Sequence, residues 1–374
     1  LRVVDKKSNT PIENIPVMSK VHNYSAGPCI LPQEVFQQAS DALLNFNGLD
    51  LSLIEISHRS VDFIEVMEEA RSLVKEVMNV PDGYHVLFLQ GGASLGFLTA
   101  AYNMMRKNRS GGYLITGSWA KKAAKEVTFI GEKIVLASSE DGNFNYIPKG
   151  YDIPDNIDYI HITSNNTIFG TQIKEFPTSN IPLVCDMSSD ILSKEIDVSN
   201  FDLIYGGAQK NLGPSGTTLY IVKDEVLGNS SVPIPTMLDL KTHYDIDSMF
   251  NTPPVFAIYT SMLTLRWIKE NGGLASIESN NNIKASLMYS EIDRNSLFTG
   301  TAVKEDRSNM NATFTLTNEH LKNDFDSMLE EMNVIGLKGH RSVGGYRASM
   351  YNALPVESVE VLVDVMKELE VKFG

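Results

Sequence analysis

The chain has 374 residues, 43% apolar and 21% charged. That is enough apolar material for more than one core, which excludes a disordered chain and a collagen-like repeat. Thirty-two Lys and Arg stand against 46 Asp and Glu, a net charge of −14, so the molecule as a whole repels nucleic acid and anionic membrane. A small anionic ligand is not excluded, because one local basic cluster outweighs a distant acidic surface.

Residues 1–20 read as a disordered or appended extension: up to about Val17 they are polar, mixed in charge and lack the apolar run of a secretion signal. From 31 to 46 the apolar spacing is helical, with Pro32 suited to a first helical position. Ser60 caps a second helix predicted over 61–78. Short apolar runs bounded by turn residues follow at 85–89, 113–116, 133–137, 159–163, 182–185, 203–205 and 217–222. Helical segments at 95–106 and 119–129 separate some of them, which predicts an α/β domain with a mostly parallel seven-stranded sheet between helices. The uncharged stretch 86–105 holds Gln90, Gly91, Gly92, Ser94, Gly96 and Asn103, so it breaks into strand, turn and helix and is no membrane span. A helix over 256–269 ends near Gly272-Gly273. After about Ser279, helices near 283–292, 318–332 and 356–373 flank strands near 313–316 and 346–350, predicting a smaller α+β domain. The domain reading is therefore an N-terminal arm and large domain over 21–278 and a small domain over 279–374.

Cys29 and Cys185 are the two cysteines. They form no metal-ligand or disulfide spacing, which fits a reducing, cytoplasmic compartment.

Three features suggest chemistry. Gln90-Gly91-Gly92-Ala93-Ser94 lies between a strand and a helix, where free N–H groups and the dipole receive an anion; alone, it is equally an ordinary tight turn. Asp186 ends an apolar strand, where open α/β sheets hold ligands, although a helix cap is as common there. Lys210 lies in Gly206-Gly207-Ala208-Gln209-Lys210-Asn211-Leu212-Gly213-Pro214, ringed by small residues. Most lysines are solvated, but small neighbours leave room for a planar ring beside a partly desolvated amine suited to Schiff-base formation. Lysine, acid and anion cradle together are what pyridoxal 5'-phosphate requires. Trp119 stacks on its ring or belongs to the core.

With these residues in hand, the chain from about His22 onward resembles the phosphoserine aminotransferases, fold-type I, class V pyridoxal-phosphate enzymes. The marks are Asn23-Tyr24-Ser25-Ala26-Gly27-Pro28, Glu55-Ile56-Ser57-His58-Arg59-Ser60, the lysine motif, Asn251-Thr252-Pro253-Pro254, and Gly339-His340-Arg341-Ser342 through Tyr346-Arg347. The lysine motif marks only the broad superfamily; the two His-Arg pairs with Asn-Thr-Pro-Pro are far more specific.

The resemblance implies that Lys210 holds the cofactor and shuttles a proton, that Asp186 pairs with the pyridine nitrogen, that Trp119 stacks and that Thr167 bonds the ring hydroxyl. Ala93, Ser94 and Gln209 would hold the cofactor phosphate, with Asn251 and Thr252 reaching it from the neighbouring protomer of a homodimer. Arg347 would bind the substrate α-carboxylate, while His58, Arg59, His340 and Arg341 would bind phosphate or the glutamate side chain. Some relatives have Gly-Arg where this chain has Ala93-Ser94, which leaves more of the phosphate contact to backbone N–H groups. The implied reaction joins glutamate and 3-phosphohydroxypyruvate to 2-oxoglutarate and phosphoserine, in serine biosynthesis. Some relatives also serve pyridoxine biosynthesis, on which these residues are silent.

The local charge points the same way. Residues 332–356 hold Lys338, Arg341 and Arg347 and no acid, where the chain average would give about three. One His-Arg pair alone is more often a capped helix start or an ion pair; two pairs plus Arg347 suit a doubly anionic substrate. A class V aminotransferase for an unphosphorylated 2-oxo acid is the alternative. A non-catalytic anion-binding protein of the same fold would be colourless.

Overall fold

In the computed structural model, which describes residues 20–374, the seven apolar runs pair into one sheet. They are β1 (Tyr84–Leu89), β2 (Ser110–Ile115), β3 (Glu132–Ser138), β4 (Tyr159–Thr163), β5 (Leu183–Asp186), β6 (Leu203–Gly207) and β7 (Thr218–Lys223). Their spatial order is β1-β7-β6-β5-β4-β2-β3. Strand β7 is antiparallel to both neighbours and every other pairing is parallel, so β1, β2, β4, β5 and β6 all end on one edge. The extension expected over 1–20 lies outside the described residues, Lys20 apart.

The helices explain why the strands read as continuous apolar runs rather than alternating ones. Helices α1 (Gln33–Leu44), α2 (Val61–Val77), α3 (Gly92–Met104), α4 (Ser118–Glu126), the short α5 (Leu240–Tyr244), α6 (Val255–Glu270) and α7 (Gly273–Arg294) complete the first part of the chain. On one face Val86, Phe88, Ile160 and Ile204 pack with Phe63 of α2 and Ile258 of α6. On the other face Leu87, Tyr159, Leu203 and Tyr205 pack with Phe97 of α3 and Ala123 of α4. Both faces are covered, as a parallel sheet requires, except along the edge strand β3, where Val135 is exposed. The Ser60 hydroxyl accepts from Phe63 N at the start of α2, as expected of a cap.

The second core gathers on a three-stranded antiparallel sheet of β8 (Phe298–Gly300), β9 (Asn311–Leu316) and β10 (Tyr346–Ser349). Helix α7 with α8 (Lys322–Glu331) and α9 (Val356–Phe373) covers it. Two details depart from the expected division. Helix α7 begins at Gly273 rather than near 283, so a boundary at 278/279 falls inside it. Its Leu274 and Ile277 lie in the sheet's core, whereas Ala285, Met288 and Ile292 lie in the second. The N-terminal arm also joins the second core: His22 and Asn23 pair with Val334 and Ile335, and Tyr24 is buried there. Among the described residues no helix is long and apolar enough to cross a membrane, no group of three potential metal ligands occurs, and both cysteines are free.

Candidate active site

The shared strand edge brings the chemistry together. After β1, Gly91 (φ 103) and Gly92 (φ 62) turn the chain into α3. A Cβ on Gly91 would lie 2.4 Å from Leu95 Cδ2, so only glycine fits. Ala93 and Ser94 follow in the first turn, whose N–H groups have no acceptor within the helix. Beyond β2, Trp119 is the second residue of α4; beyond β4 comes Thr167; Asp186 ends β5; and β6 runs out into Gln209 and Lys210. Arg347 arrives from β10 and His340 from the loop before it. Together they line a cavity of about 340 Å³ with Ala26 and Gly27 of the N-terminal arm.

Lys210 Nζ donates to Thr167 Oγ1 at 2.9 Å. Burial lowers its pKa to about 8, with Asp186 pulling up and Arg347 pushing further down. Asp186 is buried, which raises its carboxyl; the Ser188 hydroxyl and N–H, donating to Oδ1 at 2.6 and 2.9 Å, oppose that rise. Arg347 is lowered by burial and forms none of the ion pairs among the described residues. Burial also lowers His340, followed by the charges of Arg347, Arg341 and Lys122. Lys122 Nζ sits 4.2 Å from the centroid of the Trp119 ring. The cavity thus gathers His340 and an arginine without a paired carboxylate together with a buried acid.

These residues fit pyridoxal phosphate. Arg347 Nε and Thr163 Oγ1, from two lining residues, are buried without hydrogen-bond partners. The glycine turn leaves open space at Gly92, whose Cβ would meet nothing within 4 Å, beside the free N–H groups of α3. An aromatic ring, a lysine and an acid flank the same space.

Five expected site residues do not line it. His58 and Arg59 lie just before α2, His58 buried with its Nε2 unpartnered and Arg59 exposed. Arg341 is exposed beside His340. Asn251 Nδ2 donates to Gln90 Oε1 at 3.0 Å, and Gln90 Nε2 donates to the Thr252 carbonyl at 2.7 Å, so that pair meets the outer side of the glycine turn. Sequence reasoning also missed residues. Ser188 holds Asp186 and accepts from Gly207 N at 3.1 Å; the only sequence signal was a serine two positions after the acid. Cys29 Sγ donates to the Lys210 carbonyl at 2.8 Å, a contact without local signal.

The chain as a whole is similar to known proteins. The class-V aminotransferase family model matches residues 21–362. The phosphoserine aminotransferase of Flavobacterium psychrophilum is 62% identical over 354 residues, 94% of this chain and 99% of that protein. The solved phosphoserine aminotransferase of Bacillus circulans subsp. alkalophilus superposes with a TM-score of 0.92 at 44% identity, covering 95% of this chain and 99% of that one. The pyridoxal-phosphate-bound enzyme of Trichomonas vaginalis gives 0.89 at 33% identity, over 93% and 100%. This chain belongs to the class-V aminotransferases and, within them, to the phosphoserine aminotransferase family.

Proposed function

We propose that the chain transfers the amino group between L-glutamate and 3-phosphohydroxypyruvate, giving 2-oxoglutarate and O-phospho-L-serine, as a cytoplasmic homodimer with shared active sites. The observation that carries this reading is the cavity itself: an amine lowered to about 8, a buried acid, and an unpaired guanidinium aimed at one small space. Pyridoxal phosphate, when bound there, supplies an electron sink that makes the α-proton of an amino acid acidic. Asp186 would keep the ring nitrogen protonated, with Ser188 fixing its carboxylate. Lys210 Nζ takes the α-proton and returns it; at about 8 its pKa leaves a useful share of free amine near neutrality. Thr167 and Trp119 would hold the ring, and the first N–H groups of α3 would hold the phosphate. Arg347 grips the substrate α-carboxylate as a planar fork.

The dimer reading rests on which surface is apolar. Leu44, Ile54 and Val61 are 79%, 64% and 69% exposed, and Phe36, Ile246 and Phe250 are exposed with them. These segments, 36–61 and 246–250, adjoin His58, Arg59, Asn251 and Thr252, the expected site residues missing from the chain's own cavity. A second copy seated there would cover the apolar side chains and carry the missing groups to the site.

The reaction is tested by the visible spectrum of the cofactor-loaded protein. Glutamate should remove the visible band, and O-phosphoserine should do so at far lower concentration than serine or alanine. An equal response to alanine would overturn the phosphorylated substrate. Lys210→Ala should abolish borohydride trapping of the cofactor and all turnover; repeated turnover by that variant would sink the role of Lys210.

A further inference from the structure

Lys284, on α7, has no exposed surface and is the one fully buried lysine among the described residues. No carboxylate pairs with it there. Its Nζ donates to the carbonyls of Met350 at 3.1 Å and Tyr351 at 2.7 Å. A methionine in its place would avoid the cost of burying an ammonium but would leave both carbonyls without this donor. What Lys284 contributes follows from what those carbonyls are attached to.

The two carbonyls directly follow β10, the strand that carries Arg347. The same turn is tied to the cofactor side of the molecule. Asn352 N donates to Asn211 Oδ1 at 3.0 Å, one residue from Lys210, and Asn352 Nδ2 donates to the Leu192 carbonyl at 2.8 Å. Tyr351 Oη donates to the carbonyl of Ala26, in the cavity wall, at 2.9 Å. Asn281, one turn before Lys284, donates to both Asn352 Oδ1 and the Ser193 carbonyl at 2.9 and 3.0 Å. Turn 350–352 is thus clamped between α7, the neighbour of Lys210 and the arm.

We propose that Lys284 is a positioning residue: by holding the Met350 and Tyr351 carbonyls it sets the placement of Arg347 relative to Lys210, and so the grip on the substrate carboxylate. The kinetic part rests on the aminotransferase reading above. Burial lowers Lys284 to about 7, opposed by Cys29; the amine donates to the two carbonyls in either protonation state.

The test compares the cofactor-loaded parent with Lys284→Met, which keeps length and loses the donor, and Lys284→Gln, which keeps a donor without charge. Two quantities are measured: the Kd of maleate, a non-reacting dicarboxylate, from its effect on the visible band, and kcat and KM for glutamate. In Lys284→Met, Kd and KM should rise about tenfold while kcat stays within about threefold. Cofactor retention should not change, and Lys284→Gln should fall between parent and Met. An unchanged maleate Kd in Lys284→Met overturns the proposal. So does a parallel fall of kcat, cofactor retention and melting temperature, or failure of both variants to fold, since either assigns Lys284 to stability alone. A parent that binds maleate but never turns glutamate over overturns the aminotransferase reading, while its maleate Kd still tests Lys284.

Discussion

Ser188 shows how much of the site's tuning hangs on one hydroxyl. Burial raises Asp186 and the Ser188 hydroxyl holds it down, so Ser188→Ala should raise the Asp186 pKa further. A neutral Asp186 cannot keep the ring nitrogen protonated, so activity falls as pH drops through that pKa. The acid limb of kcat/KM should therefore move to higher pH in the variant; a pH profile with an unmoved acid limb would refute the coupling. The variant also strips Gly207 N of its acceptor, at a cost of about 1 kcal/mol. Lys210 and Asp186 were legible in the sequence because each ends an apolar run and Lys210 stands among small residues. Ser188 and Lys284 were not, because serine and lysine are common and only burial against a particular partner gives them a role.

The element that most needs its sequence is the turn from β1 into α3. Gly91 holds φ 103 and has no room for a Cβ, so Gly91→Ala should destabilise the fold by about 1–3 kcal/mol. It should weaken cofactor binding further, because the displaced turn presents the N–H groups. Denaturant melts and cofactor titration check both; full cofactor affinity in a destabilised variant would separate the turn from phosphate binding. Elements were legible wherever a run was apolar on both sides, and all seven sheet strands appear within a few residues of their expected bounds. The three-residue β8 and the pairing of His22–Asn23 with Val334–Ile335 were not: such short strands have no periodicity, and their partners are distant in sequence. The start of α7 was hidden because Gly272-Gly273 reads as a stop, whereas Gly272 (φ 91) caps the next helix directly.

At the scale of the molecule, the question is whether two chains share each site. Lys210→Ala and Arg59→Ala should each be inactive or nearly so alone. Mixed and re-equilibrated in equal amounts, they should recover about a quarter of parent activity, since half the dimers would be mixed and each would hold one intact site. Activity no greater than the sum of the two variants would place Arg59 and Lys210 in the same chain's site. The sequence could name His58, Arg59, Asn251 and Thr252 by resemblance, but within the single chain none of the four lines the cavity. Helix α7 sets a different limit, on how the gene could be divided. A cut at 278, where the change of rhythm invites one, severs a helix whose Leu274 and Ile277 belong upstream and whose Ala285, Met288 and Ile292 belong downstream. The downstream piece would also lack the arm that pairs with Val334 and Ile335. It would leave without Tyr24 of its own core as well, so two halves that look like separable modules are built to be made, and kept, as a single chain.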